Sequence, residues 1–149
     1  MHRYCIILLY ISFLCQHQIK EFFDPDSTNI LGTKLEICST DPMTGFYRDG
    51  YCKTFKNDIG EHIICSEVTD KFLKFSKDKG NDLSTAVPEY NFKGLKNGDR
   101  WCLCADRWIE ALYNDIAPKI VLESTHIKML SKIDFTTLKK FGVEYTNLN

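Results

Sequence analysis

Two stretches of the chain cannot be regular helix: Ser39–Cys52, broken by Pro42, Gly45 and Gly50, and Asn81–Gly98, broken by Pro88, Gly94 and Gly98. Long loops of this kind are costly to order and often carry binding groups, although packing by Phe46, Tyr47 and Tyr51 would equally suit a plain scaffold. Regular structure has to fit around them. Lys34–Cys38 reads as a short extended piece, and His62-Ile63-Ile64-Cys65 reads as a buried strand. Thr69 has the character of an N-cap, with Val68 placed to pack on Leu73, so a helix is predicted over about 70–79 with Gly80 closing it. Asp99 is the expected cap of a second helix, whose apolar positions Cys102, Ala105, Ile109, Leu112 and Ile116 recur at helical spacing until Pro118. Ile120-Val121-Leu122 reads as a strand and 125–130 as a short helix. Asp134 caps a last helix, with Phe135, Leu138 and Phe141 inward and Gly142 at its end. The pattern predicts an α+β domain, with short strands, three or so helices and two long structured loops.

With 149 residues, 44% of them hydrophobic and 26% charged, the chain matches one ordinary globular domain and not a disordered or fibrous one. A domain of this size can bury about two-thirds of its unfolded surface, so it needs neither disulfides nor a metal to hold together. Nineteen basic and twenty acidic residues give a net charge of −1, which leaves no general field toward phosphate backbones, and nucleic acid is not an expected partner. Met1–Lys20 is a separate matter. A short basic start leads into the apolar run Tyr4–Cys15, of signal-peptide length but with no small-x-small exit. It is read as a secretory signal or uncleaved anchor ahead of an alternative start. Membrane contact is therefore expected only through residues 1–20 if uncleaved, with a cytoplasmic location if the segment is no signal. Residues 21–28 read as a linker, 29–142 as the domain and 143–149 as a tail.

Seven cysteines call for their own explanation. The five in the domain, Cys38, Cys52, Cys65, Cys102 and Cys104, are an odd number, so disulfides alone cannot use them all. Thirteen, twelve and thirty-six residues separate the first four, unlike the tight knuckles of structural zinc sites, so metal binding by this set is a weak reading. On a helix begun at Asp99, Cys102 and Cys104 would lie about 200° apart. A thiol there would sit near the positive end of the helix dipole with Arg100 alongside, which makes Cys102 and Cys104 candidate reactive thiols, Cys104 the more exposed. Burial as gap-filling side chains is what composition alone favours.

Three similar corners, Arg48-Asp49-Gly50, Gly80-Asn81-Asp82 and Gly98-Asp99-Arg100, bound the two loops. If the loops meet, Arg48 and Arg100 could form a fork for a carboxylate or phosphate, oriented by Asp41, Asp49, Asp82 and Asp99. The competing reading is an internal ion-pair network that fixes the loops. His62 or His126 could serve as a base to a thiol, although an isolated histidine is more often a hydrogen-bonded structural residue. Trp101 and Trp108, seven apart, read as core. No phosphate loop, H-E-x-x-H or G-x-S-x-G is present, so the sequence assigns neither a cofactor nor a common enzyme class.

Taken together, Asn29-Ile30-Leu31-Gly32, Cys38-Ser39-Thr40-Asp41-Pro42-Met43-Thr44-Gly45-Phe46-Tyr47-Arg48-Asp49-Gly50, Gly80-Asn81-Asp82-Leu83-Ser84-Thr85, Gly98-Asp99-Arg100-Trp101-Cys102-Leu103-Cys104 and Leu122-Glu123-Ser124-Thr125-His126 resemble the domain of unknown function family 2237. The resemblance runs from about Asn29 to Phe141. It implies a single small domain with a two-layer α/β sandwich, and it carries over no catalytic residue. The apolar leader departs from the family pattern, as do Phe55 and Lys119, where Gly and Pro would be expected. Three functional readings follow: a polar pocket with a nearby thiol that binds a small anionic molecule, a non-catalytic binding or scaffold module with structural cysteines, and a metal-binding domain using the cysteines.

Overall fold

The computed structural model describes residues 25–143; the signal-like segment, the first half of the linker and nearly all of the tail lie outside the described residues. Three strands, β1 (Ile64–Glu67), β2 (Arg100–Leu103) and β3 (Lys119–Ile120), form an antiparallel sheet in the order β2-β1-β3. Three helices, α1 (Asp70–Asp78), α2 (Ala105–Leu112) and α3 (Phe135–Lys140), complete an α+β fold.

Strand alternation sorts the two faces of the sheet. Ile64, Trp101 and Leu103 join Phe72 and Leu73 of α1, Ala105, Trp108 and Ala111 of α2, and Leu138 of α3 in the main hydrophobic core. Cys65 and Cys102, cross-strand partners in the register, join a second cluster with Cys38 and Cys52. Helices therefore cover one face, and the segment holding Cys38 and Cys52 is bound to the other.

Helix α1 follows its sequence signals. The Thr69 hydroxyl accepts from the Phe72 N–H at 3.1 Å, and Val68 and Leu73 are both buried. Helix α3 starts where expected, with the Asp134 carboxylate accepting from the Thr137 N–H at 2.9 Å, although Phe135 is left 38% exposed and only Leu138 is sealed. The helix predicted from Asp99 is corrected. Residues 100–103 are strand β2, and the helix begins only at Ala105 with Cys104 at its N-cap. Asp99 instead accepts from the Lys96 N–H at 2.8 Å, closing the turn that delivers the chain to the strand. Trp101 and Trp108 consequently lie on different elements; Trp108 is fully buried and donates its Nε1–H to the Pro118 carbonyl at 3.1 Å.

The piece at 34–38 makes an isolated bridge, Lys34 to Thr28, and no regular strand. Only Lys119–Ile120 of the next strand enters the sheet, while Leu122–Ser124 and Ile127–Ser131 are 3₁₀ turns. His126 starts the second of these by accepting from the Lys128 N–H at 3.1 Å through Nδ1, a capping role. Thr28, read as the end of the linker, is buried, and buried Asn29 beside it donates through Nδ2 to the Lys34 and Glu123 carbonyls, both at 3.0 Å.

Candidate functional site

Two disulfides, Cys38–Cys65 and Cys52–Cys102, bolt the first long loop to neighbouring positions of β1 and β2. The loop is further tied to the outer edge of β2, where the Thr44 hydroxyl accepts from the Cys102 N–H at 2.8 Å. At the following residue the fold requires glycine: a Cβ on Gly45 would lie 2.4 Å from the Tyr51 carbonyl oxygen, and its φ is +93°. The fifth cysteine, Cys104, is free and partly exposed.

Cys104 is not isolated. Its Sγ lies 3.5 Å from His62 Nε2, and His62 Nδ1 lies 2.6 Å from Asp58 Oδ1. The Asp58 side chain is wholly buried, and its second oxygen accepts from the His62 backbone N–H at 2.8 Å, so one carboxylate fixes both the backbone and the ring of the histidine. An imidazolium has a donor on each nitrogen and so serves both acceptors at once. Accordingly His62 is pushed up to about 9, first by its bond to the Cys104 sulfur and then by Asp58, against the opposing effect of burial.

The backbone between these residues is held from several sides. The Glu61 carbonyl accepts from the Ala105 N–H at 3.0 Å, joining the His62 segment to the first turn of α2. The Glu61 side chain pairs with Lys128 and, at 2.7 Å, with Lys132, which hold its carboxyl below the usual carboxylate range. Glu61 itself is left-handed, with φ of 48°, a conformation that costs a non-glycine residue about 1 kcal/mol or more. At Gly60 the approach is so close that a side chain would have to displace its neighbours: a Cβ there would lie 2.6 Å from Cys104 Sγ and 2.9 Å from His62 Cε1.

His62 also borders a cavity of about 300 Å³, which brings both long loops together. Gly45, Phe46 and Arg48 come from the first loop, Leu83, Val87, Tyr90 and Phe92 from the second, and Trp101 and Cys102 from β2. The walls are mainly apolar, and the charged groups on them are Arg48 and His62. The Arg48 guanidinium stacks on the Trp101 ring, 4.7 Å from its centre, and donates to the Met43 carbonyl at 3.4 Å. It makes no ion pair with a carboxylate among the described residues, and desolvation at the cavity wall lowers its affinity for its own proton. Phe46 stacks near the His62 ring, with centroids 6.0 Å apart.

The profile of a family described as an uncharacterized protein conserved in bacteria, DUF2237, matches residues 28–142. The chain belongs to this family. No curated protein matches it.

Within this DUF2237 domain the residues singled out from the sequence go to different places. The fork of Arg48 and Arg100 does not form. Arg100 pairs with Glu67 at 3.5 Å and lines a separate hollow with Leu31, Glu36 and Glu123, because neighbouring strand positions 100 and 101 point to opposite sides and Arg48 stacks on Trp101. The aspartates do not orient the arginines either. Asp49 accepts from the Tyr51 N–H, Asp82 accepts from the Ser84 and Thr85 N–H groups and pairs with Lys77, Asp99 closes its turn, and Asp41 faces Lys93. Asp49 and Asp99 stabilise their own turns, Asp82 also ties its loop to α1 through Lys77, and Asp41 reaches across to the second loop.

The cysteines divide as well. Cys102, offered as a thiol, is bonded to Cys52, and Cys104 keeps its sulfur free. The Sγ atoms of Cys38, Cys52 and Cys102 lie within 4.8 Å of one another. In this oxidised form, however, they and Cys65 are bonded in pairs and present no thiolate to a metal, so the five-cysteine metal set is not the arrangement found. Asp58 and Gly60 were missed. The segment Asn57-Asp58-Ile59-Gly60-Glu61-His62 carried a weak sign of both, an acidic residue four before a histidine across a glycine turn. Among the described residues no helix is long and apolar enough to cross a membrane.

Proposed function

We propose that the domain binds a small molecule with an apolar or aromatic body and one anionic group, seated between the two loops with the anion on Arg48 and the free thiol of Cys104 close behind His62. The observation that carries this reading is Arg48: a guanidinium stacked on Trp101 at the wall of an aromatic cavity, with no carboxylate neutralising it among the described residues. Such a group satisfies a planar carboxylate through two parallel hydrogen bonds. His62 lines the same cavity, held at its far nitrogen by the buried Asp58 carboxylate and at Nε2 by the Cys104 sulfur. The cavity is at the small end of the range for ligand sites.

Trp101 on the cavity wall supplies the assay. Titration with phenylacetate should give a saturable change in tryptophan fluorescence, with phenylacetamide binding about tenfold more weakly, as expected for loss of a charge-assisted hydrogen bond. Arg48→Gln should abolish that discrimination. Equal binding of acid and amide, or discrimination unchanged in Arg48→Gln, would refute the proposal. The scaffold reading accounts for four of the five cysteines, which staple the first loop to the sheet.

A further inference from the structure

We infer that Cys104, His62 and Asp58 form a nucleophilic thiol centre that hydrolyses carboxylic esters of small anionic acids through an acyl-thioester on Cys104. The inference rests on the ligand reading above for its choice of acid, and on separate observations for its chemistry.

Acyl transfer by a thiol needs a nucleophile, a proton carrier touching it and a group that fixes the carrier. All three are present in one line. Cys104 Sγ and His62 Nε2 are 3.5 Å apart, and Asp58 holds the far ring nitrogen at 2.6 Å from a position with no solvent exposure. Cys104 occupies the N-cap of the eight-residue helix α2 but makes no side-chain capping bond, which leaves its sulfur to His62. The bare Cα of Gly60 keeps the thiol and the imidazole in contact where any side chain would push between them. The ring that meets the sulfur also lines the cavity, so a bound ligand and the thiol share His62. At the start of α2 the N–H groups of Asp106 and Arg107 have no acceptor within the helix, and the positive end of the helix dipole lies where an acyl oxygen would become charged.

The steps balance without another reagent. The Cys104 thiolate attacks the ester carbonyl carbon and a C–S bond forms. The C–O bond to the leaving alcohol breaks, and that oxygen takes the proton from His62 Nε2. Neutral His62 then accepts a proton from water, whose oxygen attacks the same carbon. The C–S bond breaks, the carboxylic acid departs, and the thiolate and imidazolium are restored. Ester and water give acid and alcohol. A disulfide-exchange role would need a second free thiol to resolve the intermediate, and the other four cysteines among the described residues are bonded in pairs.

The test uses the full chain with its disulfides intact, p-nitrophenyl acetate as neutral ester and the mono-p-nitrophenyl ester of succinate as anionic ester. Wild type should release about one equivalent of nitrophenolate in an initial burst and carry the acyl mass on the peptide containing Cys104. Cys104→Ser should lose both, with its fold confirmed by an unchanged near-ultraviolet spectrum from buried Trp108. His62→Gln should slow the burst by about 100-fold, as loss of a proton carrier implies. Asp58 acts through His62 as a positioning residue, so Asp58→Asn should keep acylation on Cys104 while moving the pH profile of the burst to lower pH. Absence of acyl mass on Cys104, or equal burst rates in wild type and His62→Gln, would overturn the inference. The two readings fail separately. Anion binding that depends on Arg48 without acylation of Cys104 removes the thiol chemistry alone; acylation with the same preference for the anionic ester in wild type and Arg48→Gln removes the Arg48 reading alone.

Discussion

Gly60→Ala isolates the contact between thiol and imidazole from everything else in the site. An added Cβ would stand 2.6 Å from Cys104 Sγ and 2.9 Å from His62 Cε1, where ordinary carbon contacts are about 3.5–4.0 Å, so a separation of about 1 Å must open. Gly60 lies outside the left-handed region, so alanine brings no backbone strain there. The atoms displaced are the ends of side chains, one of them a single-χ thiol, and the overpacking should cost about 1 kcal/mol, a fall in Tm of roughly 3–6 °C for a domain of this size. The local consequence is larger. A hydrogen bond of 3.5 Å lengthened by about 1 Å is no longer a bond, which removes the largest influence raising His62 and leaves Asp58 as its remaining partner. The assay is a pH titration of the His62 ring signals by NMR, with iodoacetamide labelling of Cys104 in parallel. The midpoint should drop from about 9 toward 6.5, and labelling at neutral pH should slow by about tenfold. An alanine variant that keeps both the wild-type midpoint and the wild-type labelling rate would show that the thiol and the imidazole are not coupled.

Three further outcomes follow from the same structure. His62 is raised in the folded state, so its stabilisation is complete below about pH 6.5 and is lost as pH rises to about 9. That interval is worth ~3 kcal/mol for a sealed group, but the side chain is 36% exposed and solvent screening reduces this to about 1 kcal/mol; urea unfolding of wild type should show that loss, and His62→Gln should flatten it. Reopening Cys52–Cys102 as the double alanine variant should cost about 4 kcal/mol for its separation of 50 residues, slightly more than loss of Cys38–Cys65 with its 27, by denaturant midpoint without reductant. Thr69→Ala should cost about 1 kcal/mol by losing the cap on Phe72, with α1 unchanged by circular dichroism once folded.

What could be read in advance was local. Thr69, Gly80 and Asp134 mark helix ends because capping is decided within a few residues, and these ends agree with α1 and α3. Strand β2 was misread because Cys102, Ala105, Ile109 and Leu112 do recur at helical spacing, while pairing with β1, thirty-odd residues earlier, decides that 100–103 is extended. Tertiary pairing overrode a valid local period. The two loops do share a cavity, but which arginine faces it depended on strand parity at 100 and 101 and so on that same pairing. Cys104 and His62 could each be suspected singly. Their contact joins residues 42 apart in the chain, and Asp58 gains its role only because burial seals it against the ring. The family resemblance agreed with the α+β class, and it had no residue roles to lend.

Whether His62 and Cys104 act as one unit beside the Arg48 cavity is tested most directly by iodoacetamide labelling of Cys104 across pH 5 to 10, in wild type and His62→Gln with disulfides intact. Wild type should label readily at neutral pH and pass through a change near pH 9 as the imidazolium gives up its proton, while His62→Gln labels at least about tenfold more slowly at neutral pH with no such change. Superimposable profiles for the two proteins would show that they do not act as one unit.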